Sequence, residues 1–334
     1  CRAYAQKWVD TQREQLKRLG IMGDWDNPYL TMDFDSEATI VSELMKFAEA
    51  GNLYRGSKPV MWSPVEKTAL AEAEVEYEDI TSTQIDVAFE IVESPVSNMA
   101  GNHAVIWTTT PWTIPVNQAI AYGEDVEYVA ISVEVGIEGK RERGATHDTL
   151  AGLDDPILAW LHGKTLILAA NLLPRLEERI VVSSRYRLKE IGRQANLSFE
   201  EKWRGKGSDL AGTIARHPMH GFLRHSREGG NPSPEGAANE TPEMDSRLRG
   251  SDEAWEKAVE FYAKPRPFLP GDFVTTDAGT GLVHMAPDHG EDDFALCRAH
   301  GIDPVFAVED DGVDREDWGW LPRGDERAGS VINK

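Results

Sequence analysis

Cysteine is almost missing from this chain. Cys1 and Cys297 are the only two in 334 residues, and they stand far apart. That excludes a disulfide framework and fits a reducing compartment, with the cytoplasm as the expectation. Long apolar runs are missing too. None approaches the roughly 20 residues needed to cross a bilayer, and no signal-peptide pattern opens the chain, so no membrane partner is expected. Positive charge is scarce: 35 Lys and Arg stand against 57 Asp and Glu, for a formal net charge of −22. Such a chain repels nucleic acid on average, so any contact with it must come from a local basic face. The chain starts at Cys1, without methionine and already inside a helical pattern, which reads as a piece of something longer. What is present suffices for one large domain or two smaller ones: 40% of the residues are hydrophobic.

Periodicity divides the chain. Tyr4, Trp8, Leu16 and Leu19 recur at helical spacing and predict a helix over Arg2–Leu19, ended at Gly20. Ser36 is placed to cap a second helix, with Ile40, Val41, Leu44, Met45, Phe47 and Ala48 on one side and Gly51 at its end. From Pro59 the period changes. Ala71, Ala73, Val75 and Tyr77 alternate with glutamates, and Ile85, Val87, Phe89 and Ile91 alternate with polar or small residues. Both read as half-buried strands. His103–Trp107, Tyr128–Val133, Asp272–Thr276 and Gly281–His284 read as further short strands. Helices are expected near Pro156–Leu161, near Leu172–Glu178 and over Glu291–His300. Many short strands with few helices predict a closed or nearly closed sheet, which removes edges. Residues 224–253 differ: rich in Gly and Pro and poor in periodic apolar residues, they predict a mobile surface insertion. Its two ends resemble the translated arms of a palindromic bacterial repeat, and loops accept such insertions at modest entropic cost.

Two segments carry the chemistry. Trp107-Thr-Thr-Thr-Pro-Trp-Thr-Ile-Pro-Val-Asn117 puts four hydroxyls and two indoles on a backbone stiffened by two prolines. Thr110 and Ile114 precede prolines and are pushed towards extended backbone. Fixed hydroxyls there can hydrogen-bond an ester, a ribose or a water, although threonine is also an ordinary packing residue of strands. Gly279-Thr-Gly-Leu-Val-His-Met-Ala-Pro-Asp-His-Gly-Glu-Asp-Asp293 reads as a strand, a turn and a helix start. Glu291 and Asp292 suit any first helical turn. Asp293, expected to stay ionised at the positive helix end, is either another such cap or a receptor for an ammonium group. His284 and His289 with Asp288 offer metal-ligand chemistry, but zinc needs three or four donors, and no tight histidine pair accompanies them. No metal is expected. Arg216–Gly221 reads as a loop, and Lys202, Arg204 and Lys206 read as a solvated loop rather than a phosphate contact.

These residues resemble the bacterial isoleucyl-tRNA synthetase family, specifically its inserted editing domain, connective peptide 1, with the segment leading into it. The resemblance rests on Trp107–Asn117 and Gly279–Asp293. It is supported by Gly23–Leu30, Lys58–Pro64, Thr68–Tyr77 and Gly212–Pro218, and it covers nearly all of the chain except the repeat-like insertion. Valyl and leucyl relatives carry Arg-Pro followed by an acid in the threonine run, whereas Thr110-Pro-Trp-Thr113 is similar to the isoleucyl type. The resemblance implies an α/β fold: a β-barrel-like editing domain over 58–310 with surrounding helices, the insertion at 224–253 within it. Residues 1–57 would be the edge of a Rossmann-type class I catalytic domain, and 311–334 a return towards it. It implies hydrolysis of valine mischarged onto the isoleucine tRNA, the partner being the 3′ end of that tRNA. Asp293 would bind the α-ammonium group, and Thr108, Thr109 and Thr110 would hold the ester, the ribose and the water. His284 would limit the side-chain pocket, while Trp107, Asn117 and His289 would shape the rest of it. The parent would be a monomer that joins isoleucine to tRNA with ATP and Mg.

The chain departs from the family in three ways. Asp288 stands where glycine is usual, between proline and histidine. The zinc cysteines of some members are absent beside Trp62-Ser-Pro64, so no zinc is expected here. The His-x-Gly-His and Lys-Met-Ser-Lys-Ser signatures of ATP chemistry are missing too, so this stretch requires no cofactor. Two other readings stand beside editing: a non-catalytic structural or tRNA-binding insertion, and a metal-dependent hydrolase using His284 and His289.

Overall fold

The computed structural model describes residues 1–139, 156–190, 193–220, 252–313 and 315. Two compact units result, Cys1–Ser57 and Lys58–Lys334. The first holds helices α1 (Arg2–Arg18) and α2 (Phe34–Glu49). Each is followed by a left-handed glycine, Gly20 at φ +77° and Gly51 at φ +74°, where a side chain would be strained. Helix α2 starts before Ser36: Asp33 precedes its first turn, and Asp35 and Glu37 occupy the acid-favouring end. Arg2 bonds the Met32 carbonyl and the Glu37 carboxylate. No residue of either helix is buried.

The second unit is built on a mixed sheet. A small antiparallel pair, β1 (Trp62–Ser63) and β2 (Thr68–Ala69), stands apart. The main strands are β3 (Ile85–Glu93), β4 (His103–Thr108), β5 (Ala119–Tyr122), β6 (Glu127–Gly139) and β7 (Thr165–Ala169). They continue with β8 (Arg193–Lys206), β9 (Ile214–Ala215), β10 (Arg266–Pro270) and β11 (Leu282–Met285). Their order across the sheet is β11-β5-β10-β9-β3-β4-β7-β6-β8. The β5–β10 and β4–β7 pairs are parallel and the others antiparallel. Helices α3 (Pro156–Leu161), α4 (Leu173–Glu190), α5 (Asp252–Ala263) and α6 (Glu291–Ala299) surround it.

The expected barrel is not there. Among the described residues no ladder joins β11 to β8, so the sheet is open. Closure needs strand tilt and stagger to bring the first strand back onto the last, and alternation within a strand carries no record of that. The edges are handled otherwise. Strand β11 is short, and β8 is crowded with charge: Lys202 pairs with Glu200, Arg204 with Glu201 and Glu127, and Lys206 with Asp125. A charged edge resists pairing with another chain. These three cations therefore lie on a strand, each with an acid, rather than on a free loop.

The core explains why the central strands read as unbroken apolar runs. On one face Phe89, Ile106, Tyr128, Ile167 and Leu282 pack together. On the other, Val105, Val129, Ile131, Leu166 and Leu168 pack against Leu158 and Leu161 of α3 and Leu176 of α4. Strands covered on both sides lose their polar alternation. Helix α6 docks through Cys297 onto Ala119, Ala121 and Met285. Burial, with Asp293 adding negative charge nearby, pushes the Cys297 thiol up to about 12.

Two predicted strands are absent. Ala71–Tyr77 holds a single 3-10 turn at Glu72–Glu74, and Tyr77 is exposed; two alanines and a valine offer too little apolar face to dock. Asp272–Thr276 is a turn closed by Val274 N–H to the Gly271 carbonyl (3.2 Å), with Val274 drawn into the core and Phe273 packed against it. The insertion expected at 224–253 lies outside the described residues except for Asp252 and Glu253, which open α5.

Candidate functional site

The threonine run bridges β4 and β5. Thr108 is the last residue of β4, Pro111–Val116 forms a 3-10 turn, and β5 resumes at Ala119. Thr108 is buried, while Thr109 and Thr110 are exposed. The Thr108 hydroxyl accepts from Thr110 N–H (3.0 Å) and lies 3.1 Å from the Thr110 hydroxyl. Thr109 is tied only through its carbonyl, which accepts from the Ser82 hydroxyl (2.8 Å). Thr110 adopts φ −122°, ψ 68°, short of the fully extended backbone expected before proline.

Strand β11 pairs antiparallel with β5 and sets His284 opposite Ile120. The buried Thr113 hydroxyl donates to the Thr110 carbonyl (2.8 Å) and lies 3.1 Å from His284 Nε2. A hydroxyl has one proton to give. Thr113 spends it on Thr110, so His284 must donate through Nε2–H, which leaves Nδ1 as a bare acceptor. That nitrogen is buried without a hydrogen-bond partner. Burial, reinforced by His289, pushes the His284 ring down to about 4, so it is neutral at physiological pH.

Helix α6 follows at once. Gly290 precedes its first turn, and the Asp293 carboxylate folds back to accept Ala286 N–H at 2.7 Å. The sequence predicts an ionised Asp293; burial pushes its pKa up to about 6, with Asp292 and Asp288 adding to the rise, while Ala286 N–H and His289 oppose it. Desolvation outweighs the favourable helix end here. His289 sets its ring edge-on to Trp112, centroids 4.6 Å apart, and its Nε2 lies 3.0 Å from Asp288 Oδ2.

The structure thus brings Thr108, Thr110, Thr113 and His284 into one contact chain. His289 and Asp293 join it across the β11–α6 turn. Trp107 and Asn117 play other parts. Trp107 packs on Gly279, where a Cβ would approach its ring to 3.1 Å, and its indole N–H donates to Gln84 (3.2 Å). Asn117 is fully buried, and its amide donates to the Ala119 carbonyl (2.8 Å).

Sequence reasoning missed two contributors. Thr113 was read as part of the run without a role, although it is the link to His284. His217, expected in a loop, is buried: its Nε2–H donates to the Ile114 carbonyl (2.9 Å) and its Nδ1 accepts Met219 N–H (3.1 Å). It props the threonine turn from behind, stacked at 4.4 Å on Tyr262, and burial holds its pKa well below the usual histidine value. No local pattern could have shown this, since Ile114 and Tyr262 are distant in sequence.

Among the described residues no group of three or more His, Cys, Asp or Glu is placed to hold a metal ion. No described helix is long and apolar enough to cross a membrane. An apolar cavity of about 780 Å³ lies between the sheet and α3 and α4, lined by Val87, His103, Val105, Trp160 and Leu166 among others; of the site residues above only His217 lines it.

Residues 1–289 match the family model described as tRNA synthetases class I (I, L, M and V). The chain is 48% identical over 321 residues to "Isoleucine--tRNA ligase" of Zymomonas mobilis, covering 96% of this chain and 26% of that protein. It is 43% identical over 315 residues to the protein of the same name from Gluconobacter oxydans, covering 93% and 25%. The Pelagibacter ubique relative is 37% identical over 312 residues, covering 93% and 26%. The chain therefore spans about a quarter of the length of these relatives. A solved structure titled "The crystal structure of GlLeuRS-CP1" aligns with a TM-score of 0.36 at 12% identity, over 75% of this chain and 78% of that one.

Proposed function

The chain belongs to the class I tRNA synthetases of the I, L, M and V group, and on that premise we propose that its second unit hydrolyses the ester of valine mischarged onto the isoleucine tRNA. An apolar pocket discriminates one methylene by only about 1–3 kcal/mol, and the isoleucyl enzymes are the standard illustration of why a second, hydrolytic sieve is needed. The observation that carries the reading is the Asp293 carboxylate, turned back onto Ala286 N–H just past β11, the strand whose His284 meets Thr113 of the threonine turn. At physiological pH a group with a pKa of about 6 is mostly ionised, and a partly desolvated carboxylate attracts an α-ammonium group strongly. The exposed Thr109 and Thr110 hydroxyls receive the ribose and the attacking water. His284 stands at the floor as a neutral, bulky wall that admits valine and excludes isoleucine. Trp107 shapes the rim, and the fully buried Asn117 holds the backbone that leads into β5.

No step uses ATP or Mg: the chain carries neither nucleotide signature of the family, and an activated ester needs only water, well placed. In the longer relatives the same stretch would serve ATP-dependent charging of tRNA with isoleucine. The test is deacylation of valyl-tRNA(Ile) by the purified chain. Asp293→Ala is expected to abolish it, and full activity in that variant would sink the assignment.

A further inference from the structure

Asp288 is the residue the editing reading does not use. It sits in the turn between β11 and α6 with its side chain only 4% exposed. Its Oδ1 is buried without a hydrogen-bond partner. A carboxylate so desolvated needs a partner, and its nearest is the His289 ring, with Nε2 3.0 Å from Oδ2. The two lack the alignment of a hydrogen bond, since Nε2 too is buried and unbonded; such pairs commonly tighten only when substrate arrives.

The surroundings of His289 narrow its role. Its ring meets Trp112, in the turn that carries Thr110 and Thr113. The charged and titratable groups around it are His284 from β11, Asp288 from the turn and Asp293 from α6. His284 is committed to Thr113 through Nε2–H and is hard to protonate. Asp293 is committed to Ala286 N–H and to the ammonium group. His289 is left as an imidazole with a carboxylate at one nitrogen and, among the described residues, no hydrogen bond at Nδ1. That is the arrangement in which an acid fixes the tautomer and orientation of a base.

We propose that Asp288 and His289 form a carboxylate–imidazole pair that activates the hydrolytic water, with His289 as proton acceptor and Asp288 as positioning residue. The proposal rests on the ester-hydrolysis reading above. As the water oxygen bonds the acyl carbon, one water proton passes to His289 Nδ1. When the acyl carbon–oxygen bond to the ribose breaks, that proton is returned to the ribose oxygen. The products are free valine and an uncharged 3′ end, and the imidazole is neutral again.

The experiment is single-turnover deacylation of valyl-tRNA(Ile) by this chain, from about pH 5 to about 9. His289→Gln and His289→Phe are expected to lower kcat by roughly 10²–10⁴ with little change in KM. Asp288→Asn is expected to lower kcat at least about tenfold, with partial rescue in Asp288→Glu. The unsubstituted chain should slow about twofold in D2O, as proton transfer in the rate-limiting step requires. His289→Phe keeps an aromatic ring against Trp112; an unchanged rate and pH profile in it would mean that the ring only packs, and would overturn the proposal. If a variant fails to fold, the isotope effect on the unsubstituted chain decides, and its absence overturns the pair as base. If Asp293→Ala silences deacylation while His289→Phe does not, only this proposal falls. If the unsubstituted chain does not deacylate, the reading beneath it falls as well.

Discussion

At the scale of single residues, the site holds groups whose titrations oppose one another. Asp293 has its pKa raised from 3.8 to about 6. The folded state therefore holds that proton more tightly, and stability falls as pH rises from about 3.8 to 6. His284 is lowered from 6.5 to about 4, so stability falls as pH drops through that window; His217 acts in the same direction. Each shift of about two units corresponds to roughly 3 kcal/mol, and the Asp293 and His284 contributions largely offset. Asp293→Asn keeps an acceptor for Ala286 N–H and removes the buried charge. It should raise the melting temperature by several degrees at about pH 7.5 and not at about pH 4, while abolishing deacylation. Its stability should also decline more steeply on acidification, because the histidines are no longer offset. A melting profile parallel to that of the unsubstituted chain would contradict the burial argument. Thr113→Val keeps the shape but removes the hydroxyl, leaving the Thr110 carbonyl and His284 Nε2–H without it, and should cost about 1–3 kcal/mol in a denaturant titration. Asp293 and His284 were legible in the sequence because strand, turn and helix start follow in one short segment. Thr113's role was not, because it depends on where one proton goes in a contact 171 residues long in sequence.

At the scale of elements, the position of β11 is fixed by a close approach. Gly281 has φ +74°, and a Cβ there would lie 2.4 Å from the Ala169 Cβ. The Tyr128 hydroxyl donates to the Gly281 carbonyl (2.5 Å), and Ala169 N–H donates to the Thr280 carbonyl (2.8 Å). Gly281→Ala should therefore cost about 2–4 kcal/mol by strain and overlap and displace His284. Gly212→Ala, at φ +84° with nothing within 4 Å, should cost only about 1 kcal/mol. Equal losses in calorimetry would refute the close approach. Strands β3, β4 and β11 and helix α6 were readable because pattern and burial agree along them. The Ala71–Tyr77 alternation misled because period two signals a strand only when the apolar side chains are large enough to dock. Strands β5, β7 and β10 passed unseen: a short run buried on both faces carries no alternation to detect.

At the scale of the whole molecule, topology was the least legible property, and the open sheet in place of a barrel shows why. Pairing of first and last strands is a global condition that no local window contains. Charge was legible as a sum but not as an arrangement: Lys202, Arg204 and Lys206, the obvious phosphate candidates, are each engaged by an acid. With a net charge of −22 and few free cations on β8, this chain should bind tRNA with a shallow dependence on salt, a log–log slope no steeper than about −3. A filter-binding series that gave a much steeper slope would reveal an extensive phosphate-binding face. The two thiols offer a last consequence. Cys1 is exposed, whereas Cys297 lies on the inner side of α6, sealed against the strands that carry the site. A colorimetric disulfide reagent should consume one equivalent at once and the second only as fast as α6 lifts from β5 and β11. The chain thus carries a chemical clock for the opening of its own site, readable without any added label.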